Sequence, residues 1–224
     1  MQHQNTPPSP RYLQSINVNV PSTYSGITFP LYDSATYAAA GQSQITLFQT
    51  PAGSGSKTLA DTNMLAAGQV QSPNVFVVTG LELLFISGAP TEFYGTAAAQ
   101  DYVADVRAFY LGVPGASPKL AYLEFDSGSS YYVREPLFKF PPSSRLSGFA
   151  ATSNATTAAA SSFYSIAFSE NSGIPYQISP LALPANQNFQ VTLNWTNGVT
   201  AMPSTAAGKV YATLNGWMYR PAQG

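Results

Sequence analysis

The sequence predicts an all-β sandwich carrying one short helix, on three grounds. Short runs rich in β-branched and aromatic residues recur along the chain, about eight or nine of them. The gaps between them hold most of the 17 Gly and 18 Pro, as the turns of a sandwich or barrel require. The length of 224 residues suits one β domain and buries enough surface for a core without disulfide or metal staples. Cysteine is absent, which leaves the redox compartment open. No repeat of fixed period appears, which disfavours propellers and solenoids. No linker divides the chain, so the reading is an extended N-terminal arm over 1–24 and a single domain over 25–224.

The arm comes first. Pro7, Pro8, Pro10 and Pro21 oppose a helix, while Ile16, Val18 and Val20 alternate with Asn17 and Asn19 as a short strand does. Such an arm is expected either to lie on a neighbour or to fray. Gln44 to Gln49 reads as a short strand, closed by Pro51 and the flexible Gly53-Ser54-Gly55-Ser56. The strongest run, Val75 to Ile86, is apolar on both faces, as a strand between two layers is. Its β-branched residues and Gly80 argue against a helix. Ala97 to Tyr110 is the helix: Tyr102, Val106 and Phe109 recur at helical spacing with Val103 and Tyr110 beside them. Asp101, Asp105 and Arg107 fall off that stripe, and Gly112 and Pro114 end it.

From Lys119 onward the pattern is β. Leu120, Tyr122 and Glu124 alternate with Ala121, Leu123 and Phe125, and Tyr131 to Phe140 and Phe163 to Phe168 follow. The clearest strand puts Phe189, Val191, Leu193 and Trp195 on one face against Gln190, Thr192 and Asn194. The turn signal Asn197-Gly198 comes next. The last strand, Lys209 to Arg220, sets Val210, Ala212, Leu214 and Met218 against Tyr211, Thr213, Asn215, Trp217 and Tyr219.

Charge is the most unusual property. Only 8% of residues are Asp, Glu, Lys or Arg, with a net charge of −1, against about 25% charged in an ordinary soluble domain. There is no basic patch, so no direct nucleic-acid binding is expected. With 45% hydrophobic and 13% aromatic residues the chain is not disordered. A near-neutral, weakly charged surface favours association, so much of it is expected to be covered by copies of the same chain. The rival reading is a secreted domain with a Ser/Thr/Asn/Gln surface. No apolar run approaches a membrane span, and the polar, Pro-rich start lacks a signal peptide's features. The glycosylation triplets Asn154-Ala155-Thr156 and Asn194-Trp195-Thr196 are too short to carry weight.

Catalysis should leave a constellation of residues. The single histidine, His3, excludes His-based triads and His-ligated zinc, and the missing cysteines exclude thiol chemistry. Neither GxxxxGK[ST] nor GxGxxG occurs, and Gly53-Ser54-Gly55 is a turn. Paired carboxylates remain. Glu124 and Asp126 share a strand face, and Glu82 sits in the most hydrophobic run, an arrangement with a distant likeness to glycoside hydrolysis. A solvated turn for the first two, and pairing or a subunit boundary for Glu82, are the plainer expectations. Asp61-Thr62-Asn63 offers oxygens to calcium but more commonly makes an Asx turn or cap. No catalytic, cofactor or metal residue is therefore assigned, and the chain is not expected to be an enzyme. The 14 Tyr, 13 Phe and 2 Trp suit either a sugar-stacking platform or interface anchors. The interface candidates are Arg11, Tyr12, Tyr131, Tyr132, Trp217, Tyr219 and Arg220.

The run PLALPANQNFQVTLNW (Pro180 to Trp195), followed by KVYATLNGWMYRP (Lys209 to Pro221), resembles the closing strands of single jelly-roll major capsid proteins of tailless icosahedral, internal-membrane bacteriophages and related viruses. The stretch TLADTNMLAAGQVQSPNVFVVTGL (Thr58 to Leu81) is similar in style to virion-protein strands. The resemblance implies one jelly roll per chain and self-assembly into pentameric or pseudo-hexameric capsomers of an icosahedral shell. It also implies contact with other capsid proteins, proximity to an internal membrane, assembly in the host cytoplasm, and neither cofactor nor small-molecule substrate. Jelly rolls also host lectins, so a carbohydrate- or receptor-binding module such as a virion spike is the alternative. A metal-binding cupin conflicts with the histidine count.

Overall fold

The computed structural model describes residues 6–88, 97–112, 120–140, 145–153, 162–169, 175–196 and 198–222. His3, Pro114, Lys119, the Asn154 triplet and Asn197 of the expected turn lie outside them. In chain order the elements are α1 (Pro10–Ser15), β1 (Tyr24–Thr28), β2 (Leu31–Tyr37), β3 (Gln44–Leu47), β4 (Val75–Ile86), α2 (Ala97–Leu111), β5 (Tyr122–Ser127) and β6 (Ser130–Pro136). After a 3-10 turn (Leu137–Lys139) come β7 (Arg145–Ser153), β8 (Ser162–Ser169), β9 (Tyr176–Pro184), β10 (Phe189–Asn194) and β11 (Gly208–Pro221).

Two antiparallel sheets form a sandwich. The first is ordered β1–β11–β4–β9, with β2 also pairing along β11, and the second is β3–β10–β5–β6. β7 and β8 make a separate hairpin. The chain changes sheet from β2 to β3, β3 to β4, β4 to β5, β9 to β10 and β10 to β11. Within the second sheet only β5 and β6 are joined directly, as a hairpin. Inward side chains of both sheets share one core, with Phe76, Leu83 and Leu214 meeting Leu47, Phe125 and Leu193.

β4 serves both of its faces, as expected from a run apolar on both. Its pairing with β11 shifts between Val78 and Gly80, so Thr79 is an extra residue there and the alternation changes phase. Phe76 and Val78 before the bulge, and Leu81, Leu83 and Phe85 after it, join the main core, while Val75 and Val77 face the other way. Opposite the bulge, a Cβ on Gly216 would fall 2.0 Å from the Val77 carbonyl oxygen, so only glycine allows β11 to approach here.

The outer face of the first sheet is covered by the N-terminal segment. Leu13, Val18 and Val20 pack with Val75, Val77 and Tyr219 in a second, smaller cluster. The arm is therefore not wholly extended. Pro10 takes the first helical position, where its missing N–H costs nothing, and the Ser9 side chain accepts from the Tyr12 N–H at 3.3 Å. Val18 and Val20 are buried while Asn17 and Asn19 are exposed, as the alternation predicts, but Ile16, which opens it, is exposed at the end of α1, and among the described residues this stretch pairs with no strand. The Tyr219 hydroxyl donates to the Pro8 carbonyl at 2.7 Å and secures the segment.

Two differences from the sequence reading have simple causes. The run predicted from Tyr131 to Phe140 leaves the strand at Pro136 and turns, with the Leu137 N–H donating to the Ala121 carbonyl at 3.1 Å. β1 and β2 escape the pattern because Pro30 divides them and β2 buries polar Asp33 and Ser34 beside Leu31 and Tyr37.

Two buried tyrosines predict an alkaline limit to stability. Tyr37 donates to the Thr200 carbonyl at 2.6 Å, and burial pushes both Tyr37 and Tyr219 up to about 12 from the ordinary 10.0. Between those values the unfolded chain loses protons that the folded chain keeps, so stability falls as pH rises through this window. Denaturant titrations from pH 9 to 11.5 are expected to show that decline. Tyr37→Phe, which has no proton to lose, should make it shallower.

Candidate assembly surface

The expected interface residues fall in three places. Arg11 and Tyr12 lie on the outside of α1, where Tyr12 is 57% exposed. Trp217 and Tyr219 lie beneath that segment instead of on the surface. Trp217 is half-buried against the second cluster, and Tyr219 is wholly enclosed within its own chain, so it presents nothing to a partner. The reason is that α1 and the valines after it occupy the face these rings line. Arg220, on the opposite face of β11, stands exposed at the rim of an apolar cleft.

Tyr131 and Tyr132 lie on β6, the edge of the second sheet, and are 64% and 45% exposed. A register shift explains why both neighbours stay outside. Phe125 pairs with Val133 and Asp126 with Tyr131, leaving Tyr132 unopposed in a bulge. The Arg134 guanidinium sits 4.6 Å from the Tyr131 ring centre and donates to Glu124 Oε1 at 2.9 Å. At the far end of the same hairpin, Phe138 and Leu120 are also exposed, beside the ion pair of Lys139 with Glu135 at 2.8 Å. The edge thus presents large apolar groups whose nearby charges are already neutralised locally. Exposed aromatic groups of this kind are enriched at protein interfaces, where the two ion pairs belong at the wet rim, since burying them would cost desolvation.

Glu82 does not converge with Glu124 and Asp126. Glu82 faces outward from the first sheet and accepts from the Asn215 amide, while Glu124 faces outward from the second, so the core separates them. Asp126 shares the outer face with Glu124 and accepts from Gln190 Nε2 at 3.1 Å, and burial raises its pKa. Asp61-Thr62-Asn63 makes turn chemistry. Asp61 accepts from the Thr58 N–H and hydroxyl at 2.8 and 2.9 Å and pairs with Lys209, which holds its carboxyl well below the usual range. Asn63 bonds Tyr32 N at 2.9 Å and the Pro30 carbonyl at 2.8 Å, and the Thr62 hydroxyl donates to the Tyr32 carbonyl at 3.1 Å. The oxygens that calcium would take therefore serve the loop itself and tie it to β2 and β11.

Two buried carboxylates escape sequence reasoning. Asp33, fully buried on β2, accepts from Lys57 Nζ and from the Phe48 N–H, each at 2.6 Å. Asp105 of α2, placed by helical periodicity off the apolar stripe, is also fully buried. It accepts from Ser204 N at 2.9 Å and Oγ at 2.5 Å, and from the Ser87 hydroxyl. Nothing local in the sequence marks either, because their partners lie 15 to 99 residues away.

The fold and surface define an antiparallel two-sheet β-sandwich with an exposed aromatic edge. No protein family, curated protein or solved structure matches the chain.

Proposed function

We propose that the chain is a viral structural protein, a self-assembling single jelly-roll subunit of an icosahedral capsid. The observation that carries this reading is the strand order. With β1 and β2 taken as one broken strand, the sheets run first–eighth–third–sixth and second–seventh–fourth–fifth when the β7–β8 hairpin is set aside. This order agrees with that expected of a jelly roll, in which two Greek keys are wrapped together, and so supports the reading. Because the fold alone does not specify a function, the surface supplies the second support. Large apolar side chains stand exposed at separate places: Tyr12 on α1, Leu59 in the loop before β4, Leu65 at the apolar cleft, Leu111 at the end of α2, Tyr131 on the β6 edge and Phe138 in the 3-10 turn after it. A subunit that contacts several neighbours at once needs patches distributed in this way, and low charge removes the repulsion between copies.

Solution mass against concentration tests the proposal. The full chain is expected to form discrete oligomers or shells. Tyr131→Ser combined with Phe138→Ser should shift the midpoint of assembly at least tenfold upward in concentration, with thermal stability unchanged because both side chains are exposed. Strictly monomeric behaviour at every concentration would count against it. Deleting residues 1–24 is a poorer test, because it also strips Leu13, Val18 and Val20 from the second cluster. The Tyr131–Arg134–Glu124 arrangement on an outer sheet face favours one other reading, a carbohydrate- or receptor-binding module. Glycan-array binding that Tyr131→Ala abolishes would select it.

A further inference from the structure

We propose that the cleft between the β1–β11 ladder and the loop before β4 binds the apolar tail of an anionic amphiphile, with Arg220 receiving a terminal carboxylate. The cleft encloses about 230 Å³. Phe29, Leu31, Met64 and Val70 line it, and Ile27 and Met218, directly opposite each other in the ladder, complete its walls. Arg220 stands two residues beyond Met218 on the same strand face. Among the described residues, no acidic residue lines the cleft and Arg220 has no ion-pair partner. This contrasts with Lys57, Lys139, Arg134 and Lys209, each of which is paired.

The chemistry of the occupant follows from these features. Water gains little from an apolar lining, so a hydrocarbon group is favoured inside. The volume is below the roughly 300–1,000 Å³ of drug-sized sites, so the tail must be slim and short. The uncompensated guanidinium selects a negative headgroup and binds a carboxylate through two parallel N–H donors. Asn63, Gln69, Gln71 and Asn74 add neutral polar groups to the lining. A cationic head would face Arg220 with no anion to offset it. This inference does not rest on the capsid reading, since a monomer would carry the same cleft.

Isothermal titration of the full-length protein with hexanoate, octanoate and decanoate tests it, with 1-octanol and octylammonium as controls. Affinity is expected to rise about fourfold per methylene until the cleft is full. Octanoate should bind at least fivefold more tightly than octanol, and octylammonium should not bind. Arg220→Gln should remove that preference while leaving octanol affinity unchanged, and Ile27→Trp, at a partly exposed wall position, should weaken every ligand. Equal affinity for octanoate and octanol, octanoate binding unaffected by Arg220→Gln, or no binding by any of the carboxylates would each overturn the assignment. Self-association data bear on the capsid reading alone, so the two proposals fail independently.

Discussion

Asp33→Ala is expected to cost about 3–5 kcal/mol of folding stability, the usual result of removing one partner from a buried ion pair. The carboxylate is fully buried and serves two donors on different parts of the chain. One is the Lys57 ammonium, which is itself mostly covered. The other is the Phe48 N–H, on a residue held at φ 70°, where the carboxylate bond helps to offset the unfavourable backbone conformation. Truncation leaves both donors without an acceptor, and also loosens the loop that carries Lys57 and Met64. Asp33→Asn keeps an oxygen for Phe48 but loses the charge, so it should be milder. Asp33→Ala with Lys57→Met should recover part of the loss, because the orphaned ammonium goes with it. Urea denaturation of the three variants measures this. A loss under 1 kcal/mol for Asp33→Ala would show that the pair is dispensable.

Phe109→Ala is the second large effect, with about 3–5 kcal/mol expected for a buried phenylalanine. Phe109 is a principal apolar contact by which α2 joins the sandwich, beside the Asp105 and Tyr110 hydrogen bonds. Its ring stacks on Phe85 of the first sheet at 4.3 Å between centroids and 7° between planes. It also meets Tyr37 edge-on at 5.5 Å and Trp195, which follows the second sheet's β10, at 5.8 Å. One side chain thus closes the end of the core where both sheets meet. Truncation leaves a cavity that these rings cannot collapse into, since each is held by its own strand or loop. Phe109→Leu should cost markedly less. Thermal unfolding followed by near-ultraviolet dichroism reads both stability and the aromatic environment, and an unchanged melting temperature for Phe109→Ala would contradict the packing described.

Much of the fold was legible in the sequence because periodicity reports burial locally. Phe189, Val191, Leu193 and Trp195 alternate and are all buried, the two faces of β11 separate as expected, and α2 begins where its pattern begins. The candidate surface was less legible. Tyr131 and Tyr132 are exposed because of a bulge, whereas Tyr219, with the same composition and alternation, is sealed by a segment some 200 residues earlier. Residue type cannot separate these two fates, since an aromatic ring suits a core and an interface equally.

The sequence by itself determined a low-charge, cysteine-free, mainly β chain with one helix near its middle, because composition and short-range periodicity depend on neighbouring residues alone. Only the tertiary structure decided the order of strands in the two sheets, the docking of the N-terminal segment on its own chain, and the burial of Asp33 and Asp105. It also placed Arg220 beside an apolar cleft. Each of these depends on contacts between residues far apart in the chain, and their free energy arises only when the whole sandwich closes.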